Sequence, residues 1–315
     1  MSELAPVTAA GSPDASAAQA SVRVGGRWRE TMRSILRQRS AVIGLVVLAF
    51  LTFMAIFAQQ IAPYSINAQF TNEGFVQRAG PCIYALGCPT THTEHFFGLD
   101  GNYRDVFSRV VYGARISLPL GFETIGFAII VGSLLGGVAG FAGGWLDTVI
   151  MRVMDVLLVF PALLLAIFIV TVLGKGLINA QIAIAVVALP VYARIMRASV
   201  ITVRETDYVA ASRALGESSF GVLARRVVPN SLTPIIVAGT LGIGGAVLDV
   251  AALSFLGLAD PTAAEWGTMI GLERNNVFAA PHLLFFPGLM LVLTVLAFNL
   301  LGDGVRDALD PRLAR

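Results

Sequence analysis

Six long stretches of this chain are almost free of charged residues, and they restrict its possible folds more than any other feature. Each is close to the roughly 20 apolar residues that a helix needs to cross about 30 Å of hydrocarbon. Two of them carry one acid each, Glu123 and Asp249. The stretches cover residues 41–62, 116–145, 156–174, 176–193 (continuing to about residue 199), 233–258 and 283–302. The sequence therefore predicts six transmembrane spans.

The composition agrees with a membrane protein and argues against a soluble enzyme. Of the 315 residues, 56% are hydrophobic and 13% are charged, whereas about a quarter of the residues in soluble domains are charged. Transmembrane strands last about ten residues and alternate in polarity, but these stretches are longer and continuously apolar. We therefore predict an all-α membrane protein.

The basic residues predict how the chain is threaded through the membrane. Of the 22 Lys and Arg, a six-span arrangement puts sixteen on the side of the N-terminus and six on the other side. Basic residues favour cytoplasmic segments, so both termini are predicted to be cytoplasmic. The predicted segments are a cytoplasmic tail (1–40), a first span (41–62), an outside loop (63–110), a core of five spans (111–305) and a second cytoplasmic tail (306–315).

The longest predicted cytoplasmic loop, residues 200–232, has the pattern of two short helices joined by a turn. Apolar side chains repeat at i, i+3 and i+7 in each half, so each helix is predicted to be amphipathic. These positions are Tyr208, Ala211 and Leu215 in the first half, and Phe220, Leu223 and Val227 in the second. Gly216 suits a left-handed helix end, Ser218 can cap the second helix, and Pro229 is predicted to end it. From spacing alone, this segment is either a connector or a handle for another protein.

The small residues, Gly216 and Pro229 in this loop resemble the coupling loop of ABC importer permeases. That loop has the form Glu-Ala-Ala, three residues, Gly, nine residues, an apolar residue, any residue, Leu and Pro. Here the Gly-to-Pro interval is kept, whereas Ala210, Arg226 and Val228 replace the glutamate, the apolar residue and the leucine. The resemblance implies that the ATPase-coupling residues are Asp207, Tyr208, Ala210, Ala211, Ser212, Arg213, Ala214, Leu215, Gly216, Phe220 and Pro229.

The resemblance extends over residues 41–312 and is closest to the C-type permease subunit of dipeptide and oligopeptide importers, in particular the dipeptide branch. It rests on the order and spacing of several segments. They include Ile61-Ala-Pro-Tyr64, Arg104-Asp-Val-Phe-Ser-Arg109, Phe160-Pro-Ala-Leu163, Leu248-Asp-Val-Ala-Ala252 and Glu265-Trp-Gly-Thr-Met269. Tyr103, where a glycine is usual, and an insert with two cysteines depart from the family pattern.

This resemblance implies the type I ABC importer permease fold, with six transmembrane helices and a cytoplasmic coupling helix-turn-helix. It also implies that the chain imports dipeptides or short oligopeptides by alternating access across the bacterial cytoplasmic membrane. The implied partners are a second related permease, two ATPase subunits that bind ATP and Mg, an extracytoplasmic peptide-binding protein and membrane lipid, without nucleic acid. Permeases for nickel, haem precursors or glutathione are alternatives, and a secondary transporter is a more distant one.

The chain itself is expected to be neither an enzyme nor the holder of a cofactor. It has no Gly-rich phosphate-binding loop motif, and its few acids and histidines do not form the pattern of a catalytic site. ATP hydrolysis is therefore expected in separate ATPase subunits, and no catalytic residue is assigned to this chain.

Two acids, Glu123 and Asp249, lie in stretches predicted to reach hydrocarbon depth. A charge at that depth costs on the order of 3 kcal/mol on insertion scales unless it faces water or a partner. Both are therefore candidates for the translocation path, and Asp249 also matches the dipeptide branch. The alternative for each is a hydrogen bond to a neighbouring helix.

Glycine recurs at every fourth position near the end of the second predicted span. The residues are Gly132, Gly136, Gly140 and Gly144. Small residues at this spacing allow two helices to pack closely. The pattern predicts a tight seam, and a surface that slides during transport is the alternative.

The predicted outside loop contains Cys82 and Cys88, together with His92 and His95. Structural zinc sites more often place their cysteines two to four residues apart, and an outside location favours a disulfide. We favour a disulfide between the cysteines over free thiols and over a metal site, and His95 matches a family position before Gly98.

Overall fold

The structure, a computed structural model, describes residues 35–72 and 74–309. The remaining segments, 1–34 and 310–315, include six of the sixteen basic residues predicted to be cytoplasmic, so that part of the prediction lies outside the described residues. Where it is described, the chain is helical, and extended pairing is limited to isolated bridges. The principal helices are α1 (Arg39–Ile56), α2 (Val106–Ala142), α3 (Gly144–Val159), α4 (Ala162–Leu173), α5 (Leu177–Arg204), α6 (Asp207–Ala214), α7 (Thr233–Phe255), α8 (Trp266–Glu273) and α9 (His282–Leu309). The predicted fold class is confirmed.

Five of these helices, α1, α2, α5, α7 and α9, are long and apolar enough to cross a membrane. The prediction of one helix over residues 156–174 is wrong, because this stretch is divided between α3 and α4, which meet at 96°. Phe160 is extended at the bend, with φ −85° and ψ 140°, since Pro161 disfavours the helical conformation in the residue before it. If the bent pair counts as one span, the total is the predicted six.

Helix α2 begins well before the span predicted from residue 116. The Asp105 carboxylate accepts a hydrogen bond from the Ser108 backbone N–H at 2.7 Å and so caps a helix that starts at Val106. The predicted outside loop of residues 63–110 is therefore shorter than expected. Likewise, α9 continues to Leu309, so the predicted C-terminal tail begins as helix. An apolar run marks the part of a helix suited to hydrocarbon rather than the whole helix.

Helices α2 and α5 form the most extensive helix pair, and glycines line its seam. The seam glycines are Gly132, Gly136 and Gly140. A Cβ atom added to Gly132 would lie 2.9 Å from the Leu189 carbonyl oxygen, and one added to Gly136 would overlap the Ala193 carbonyl. Gly144, predicted on the same face, instead lies beyond α2 as the first residue of α3, with φ +62° and no neighbour within 4 Å of an added Cβ. Three of the four glycines in the repeat therefore lie in the seam, and the fourth does not.

At one end of the helices, residues 62–72, 74–105 and 256–281 form a cap that is held together by polar side chains. The Arg104 guanidinium donates to the Asp100 carboxylate at 2.7 Å, and Arg78 donates to Glu273 at the same distance. Trp266 is fully buried, and its indole N–H donates to the Val110 carbonyl at 3.0 Å. The two ion pairs, Arg104 with Asp100 and Arg78 with Glu273, offset part of the free energy that these charged side chains lose when they are removed from water. The cap adjoins the start of α2, whereas the end of α2 lies beside the loop between α5 and α7.

Candidate functional site

The predicted helix-turn-helix is present after α5, and we call residues 205–232 the knuckle. Its first helix, α6, leads into a turn at Gly216, which has φ +84°, the predicted left-handed conformation. The Glu217 backbone N–H donates to the Ser212 carbonyl across this turn at 3.2 Å. The Ser218 hydroxyl then accepts a hydrogen bond from the Gly221 N–H at 3.2 Å, as predicted for a cap.

The second knuckle helix contains a π-helical section. It consists of Ser219–Gly221, the π-helical Val222–Val227 and Val228–Ser231. The prediction that Pro229 ends this helix is wrong, because the helix continues through it. The Val228 N–H donates to the Leu223 carbonyl, five residues back, and this wider turn leaves room for the proline ring that would clash with an ordinary helical turn.

The knuckle presents an apolar patch, which we define as Tyr208, Leu215 and Phe220. Their side chains are 46%, 88% and 79% exposed, respectively. Helix α6 instead turns Val209 and Ser212 inward. The predicted periodicity is thus present, but the stripe of α6 that contains Tyr208 faces away from the protein. Contiguous exposed apolar surface is found at contacts with proteins, membranes or ligands.

A polar contact missed by the sequence analysis joins the two knuckle helices. The Ser212 hydroxyl donates to the Glu217 carboxylate, and the Arg226 guanidinium donates to the same carboxylate at 3.2 Å. These contacts, first Ser212 and then Arg226, lower the pKa of Glu217. Glu217 lies next to the turn glycine, but only the folded knuckle shows that it reaches both helices.

Two arginines, one at the end of α5 and one in the knuckle, contact the end of α2. Arg204, at the end of α5, donates to the Gly140 carbonyl at 2.7 Å. Carbonyls in the last turn of a helix have no partner within the helix, so Arg204 caps α2. The Arg213 guanidinium of α6 lies 5.5 Å from the centre of the Phe141 ring, within the range of a cation–π contact.

The other predicted coupling residues are accessible on the knuckle surface. They are Asp207, Ala210, Ala211, Ala214 and Pro229. The structure brings them together with the apolar patch on one segment, whereas Ser212 is buried beneath them. The knuckle therefore has an accessible surface of small and apolar side chains around the turn at Gly216.

The two path candidates lie on different helices and both are exposed. The Glu123 carboxylate of α2 accepts a hydrogen bond from the Gln181 amide of α5 at 2.8 Å. Asp249 of α7 makes no hydrogen bond or ion pair with any residue that the structure describes. The alternative role, a hydrogen bond to a neighbouring helix, is therefore found among the described residues for Glu123 and not for Asp249. The partner of Glu123, Gln181, was not predicted from the sequence.

The cysteine loop lies in the cap. Cys82 and Cys88 have Cα atoms 5.2 Å apart, within the usual range for a disulfide. The His95 imidazole is buried and contacts the Asp105 carboxylate at 2.9 Å and the Thr93 hydroxyl at 2.9 Å. Across residues 35–72 and 74–309, no group of three or more His, Cys, Asp or Glu side chains is placed to hold a metal ion.

The sequence matches two families. Residues 129–315 match the family described as binding-protein-dependent transport system inner membrane component. Residues 26–81 match the N-terminal TM domain of oligopeptide transport permease C. Together the two matches include α1, the seam, the knuckle and α9.

Three similar proteins illustrate the relationship. The chain is 42% identical to the dipeptide transport system permease protein DppC of Alkalihalophilus pseudofirmus, over 91% of this chain and 90% of that protein. It is 39% identical to the glutathione transport system permease protein GsiD of Pectobacterium atrosepticum, over 91% of each. Its fold resembles that of the MetNI methionine ABC transporter in an inward-facing conformation, with a TM-score of 0.53, 19% identity, and coverage of 65% of this chain and 98% of the solved one.

Proposed function

Because the chain belongs to the family of binding-protein-dependent transport system inner membrane components, the multi-pass permease subunits of ABC importers, we propose that it imports dipeptides or short oligopeptides. The relatives named for dipeptide and glutathione transport support a small peptide as the substrate. Glutathione is itself a short peptide, so it is the second candidate. Nickel and haem precursors have no such support among these relatives.

The knuckle is the proposed docking site for an ATPase subunit, and the exposed apolar patch is the observation that carries this assignment. Leu215 is 88% and Phe220 is 79% exposed on either side of the turn at Gly216, and this exposure would be unfavourable if the surface stayed in water. Since the chain has no phosphate-binding loop motif, ATP and Mg are assigned to the partner. A connector would need no such patch.

The proposed complex contains this chain, a second related permease, two ATPase subunits and an extracytoplasmic peptide-binding protein. The family name itself implies a binding protein. We propose the bacterial cytoplasmic membrane as the location, with the tails 1–40 and 306–315 and the knuckle in the cytoplasm. The core (111–305) would then provide half of the translocation path, and the outside loop (63–110), with a disulfide between Cys82 and Cys88, would lie on the opposite side.

Asp249 is the proposed path residue with the largest effect on transport. We expect Asp249→Asn to lower ATP-dependent dipeptide uptake about tenfold, the change produced by about 1.4 kcal/mol of lost interaction, because an unpaired carboxylate can attract the peptide ammonium group. The measurement is uptake of a labelled dipeptide by vesicles that contain the complete complex, at equal permease content. Glu123→Gln is expected to have a smaller effect, since Gln181 already satisfies one of its oxygens.

The matched control is Asp303→Asn, which removes an exposed acid near the end of α9 and is expected to leave uptake unchanged. Wild-type uptake that requires a proton gradient and not ATP would contradict the importer function and favour a secondary transporter. ATP-dependent uptake that is equal in Asp249→Asn and wild type would contradict only the assignment of Asp249.

The proposed orientation predicts which surfaces a membrane-impermeant thiol reagent can reach. In a chain carrying Cys82→Ser and Cys88→Ser, we expect Asn72→Cys to react in intact cells and Ser218→Cys to react only after permeabilisation. Both positions are exposed in the structure, so access depends on the membrane and not on burial. Labelling of both cysteines from the same side would contradict the six-span topology.

A further inference from the structure

Helix α3 is joined to α2 by two consecutive glycines with positive φ. Gly143 has φ +67° and Gly144 has φ +62°. An added Cβ would find no neighbour within 4 Å at Gly144, and at Gly143 it would meet only the end of the Arg204 side chain at 3.7 Å. Positive φ at both residues favours glycine, and few atoms pack against the joint between α2 and α3. The position of α3 must therefore be fixed by contacts elsewhere.

Besides the buried side chain of Met154, a two-pronged ion pair holds α3 against α5. The Arg197 Nε donates to Asp147 Oδ1 at 2.5 Å, and Arg197 Nη2 donates to Asp147 Oδ2 at 2.6 Å. Two parallel hydrogen bonds fix orientation as well as distance. A second pair, Arg194 with Asp155 at 2.6 Å, has one hydrogen bond, and its side chains are about half exposed. The first pair is therefore the better fixed of the two.

The two pairs are spaced differently on the two helices. Arg194 and Arg197 are about 4.5 Å apart along the axis of α5, whereas Asp147 and Asp155 are about 12 Å apart along α3, at 1.5 Å per residue. The pair of Asp147 is the one close to the glycine joint, since Asp147 lies three residues after Gly144.

The C-terminal end of α5, just beyond Arg194 and Arg197, leads directly into the knuckle. Arg204 joins the end of α5 to the Gly140 carbonyl of α2 at 2.7 Å, and Arg213 of the knuckle lies over Phe141 of α2 at 5.5 Å. The knuckle therefore contacts both α5 and the end of α2, which precedes the glycine joint. Beyond the joint, α3 leads through the bend at Pro161 to the charge-free α4.

We propose that Arg197 and Asp147 form a transmission pair that makes α3 follow α5 when an ATPase subunit moves the knuckle. The inference rests on the proposed function. Without the pair, α3 would pivot at Gly143 and Gly144 while α5 moved, so ATP would be hydrolysed without opening the path. The pair acts as a positioning element and contacts neither peptide nor nucleotide.

The test compares two charge reversals with their combination in the complete complex. For Arg197→Asp and for Asp147→Arg, we expect capture of the ATPase subunits and ATP hydrolysis within about twofold of wild type, but at least tenfold fewer peptides imported per ATP hydrolysed. The double variant restores an ion pair of opposite polarity and is expected to regain at least half of the wild-type ratio. Arg194→Asp, which breaks the more exposed pair on the same helix, is the matched control and is expected to remain within about twofold.

The peptide-to-ATP ratio separates transmission from a structural role, because misfolded complexes reduce both quantities together. An unchanged ratio in both single variants would overturn the proposal, as would loss of ATPase capture in them or a double variant no better than either. If the wild-type complex shows no ATP-dependent peptide uptake, the proposed function itself fails. The wild-type arm therefore distinguishes the two failures.

Discussion

Gly216→Val is expected to abolish ATP-dependent peptide uptake while the transmembrane helices stay inserted. Gly216 has φ +84°, and a residue with a Cβ atom costs about 1–2 kcal/mol in the left-handed region, where a β-branched side chain is least tolerated. The turn would rearrange and change the angle between the two knuckle helices, which carry Leu215 and Phe220 on either side. We expect ATPase capture and uptake each to fall about tenfold or more, measured by copurification and by vesicle uptake at equal permease content.

Gly216→Asn provides the matched comparison. Asparagine tolerates the left-handed conformation better than other residues with a Cβ, and no atom lies within 4 Å of the added Cβ. This variant is expected to keep most of the capture and uptake. Full activity in Gly216→Val would show that the knuckle is only a connector and that the ATPase binds elsewhere.

Gly136→Val is expected to prevent stable packing of α2 against α5. An added Cβ would overlap the carbonyl of Ala193, and this is backbone within a helix, which cannot rotate away as a side chain can. Overpacking of a close interface costs typically 1–3 kcal/mol and sometimes more. We expect less full-length protein in the membrane and a lower unfolding temperature of the purified complex in detergent.

Gly126→Val is the control on the same helix, because no atom lies within 4 Å of its added Cβ. It should unfold close to the wild-type temperature. Wild-type stability in Gly136→Val would contradict the tight seam. If that stable variant had also lost uptake, a surface that slides during transport would be favoured instead.

The helical class and five of the six spans could be predicted because they depend on the length and polarity of local segments. The 96° bend between α3 and α4 could not. Pro161 indicates where helical geometry is interrupted, but the angle depends on what the two halves pack against. Pro229 illustrates the same limit, since a π-helical turn accommodates a proline that was expected to end its helix.

The position of the candidate site along the chain could be predicted from the sequence, but only some of its side-chain contacts could. Periodicity identifies that Tyr208 lies on an apolar stripe of α6, but it does not indicate whether that stripe faces the protein or another chain. Glu123 was visible as an acid in an apolar run, whereas its partner Gln181 lies 58 residues away. The ion pair of Asp147 and Arg197 spans 50 residues and depends on a packing of two helices that the sequence pattern does not specify.

Helix α2 is long enough to reach from the cap to the knuckle. Its 37 residues measure about 55 Å at 1.5 Å per residue, nearly twice the roughly 30 Å of the hydrocarbon layer. At its start, Asp105 contacts His95 in the cap, and at its end Phe141 lies under Arg213. One unbroken helix, with Pro119 inside it, therefore joins the cap to the knuckle, so the cap and the proposed ATPase-docking site lie at the two ends of a single element.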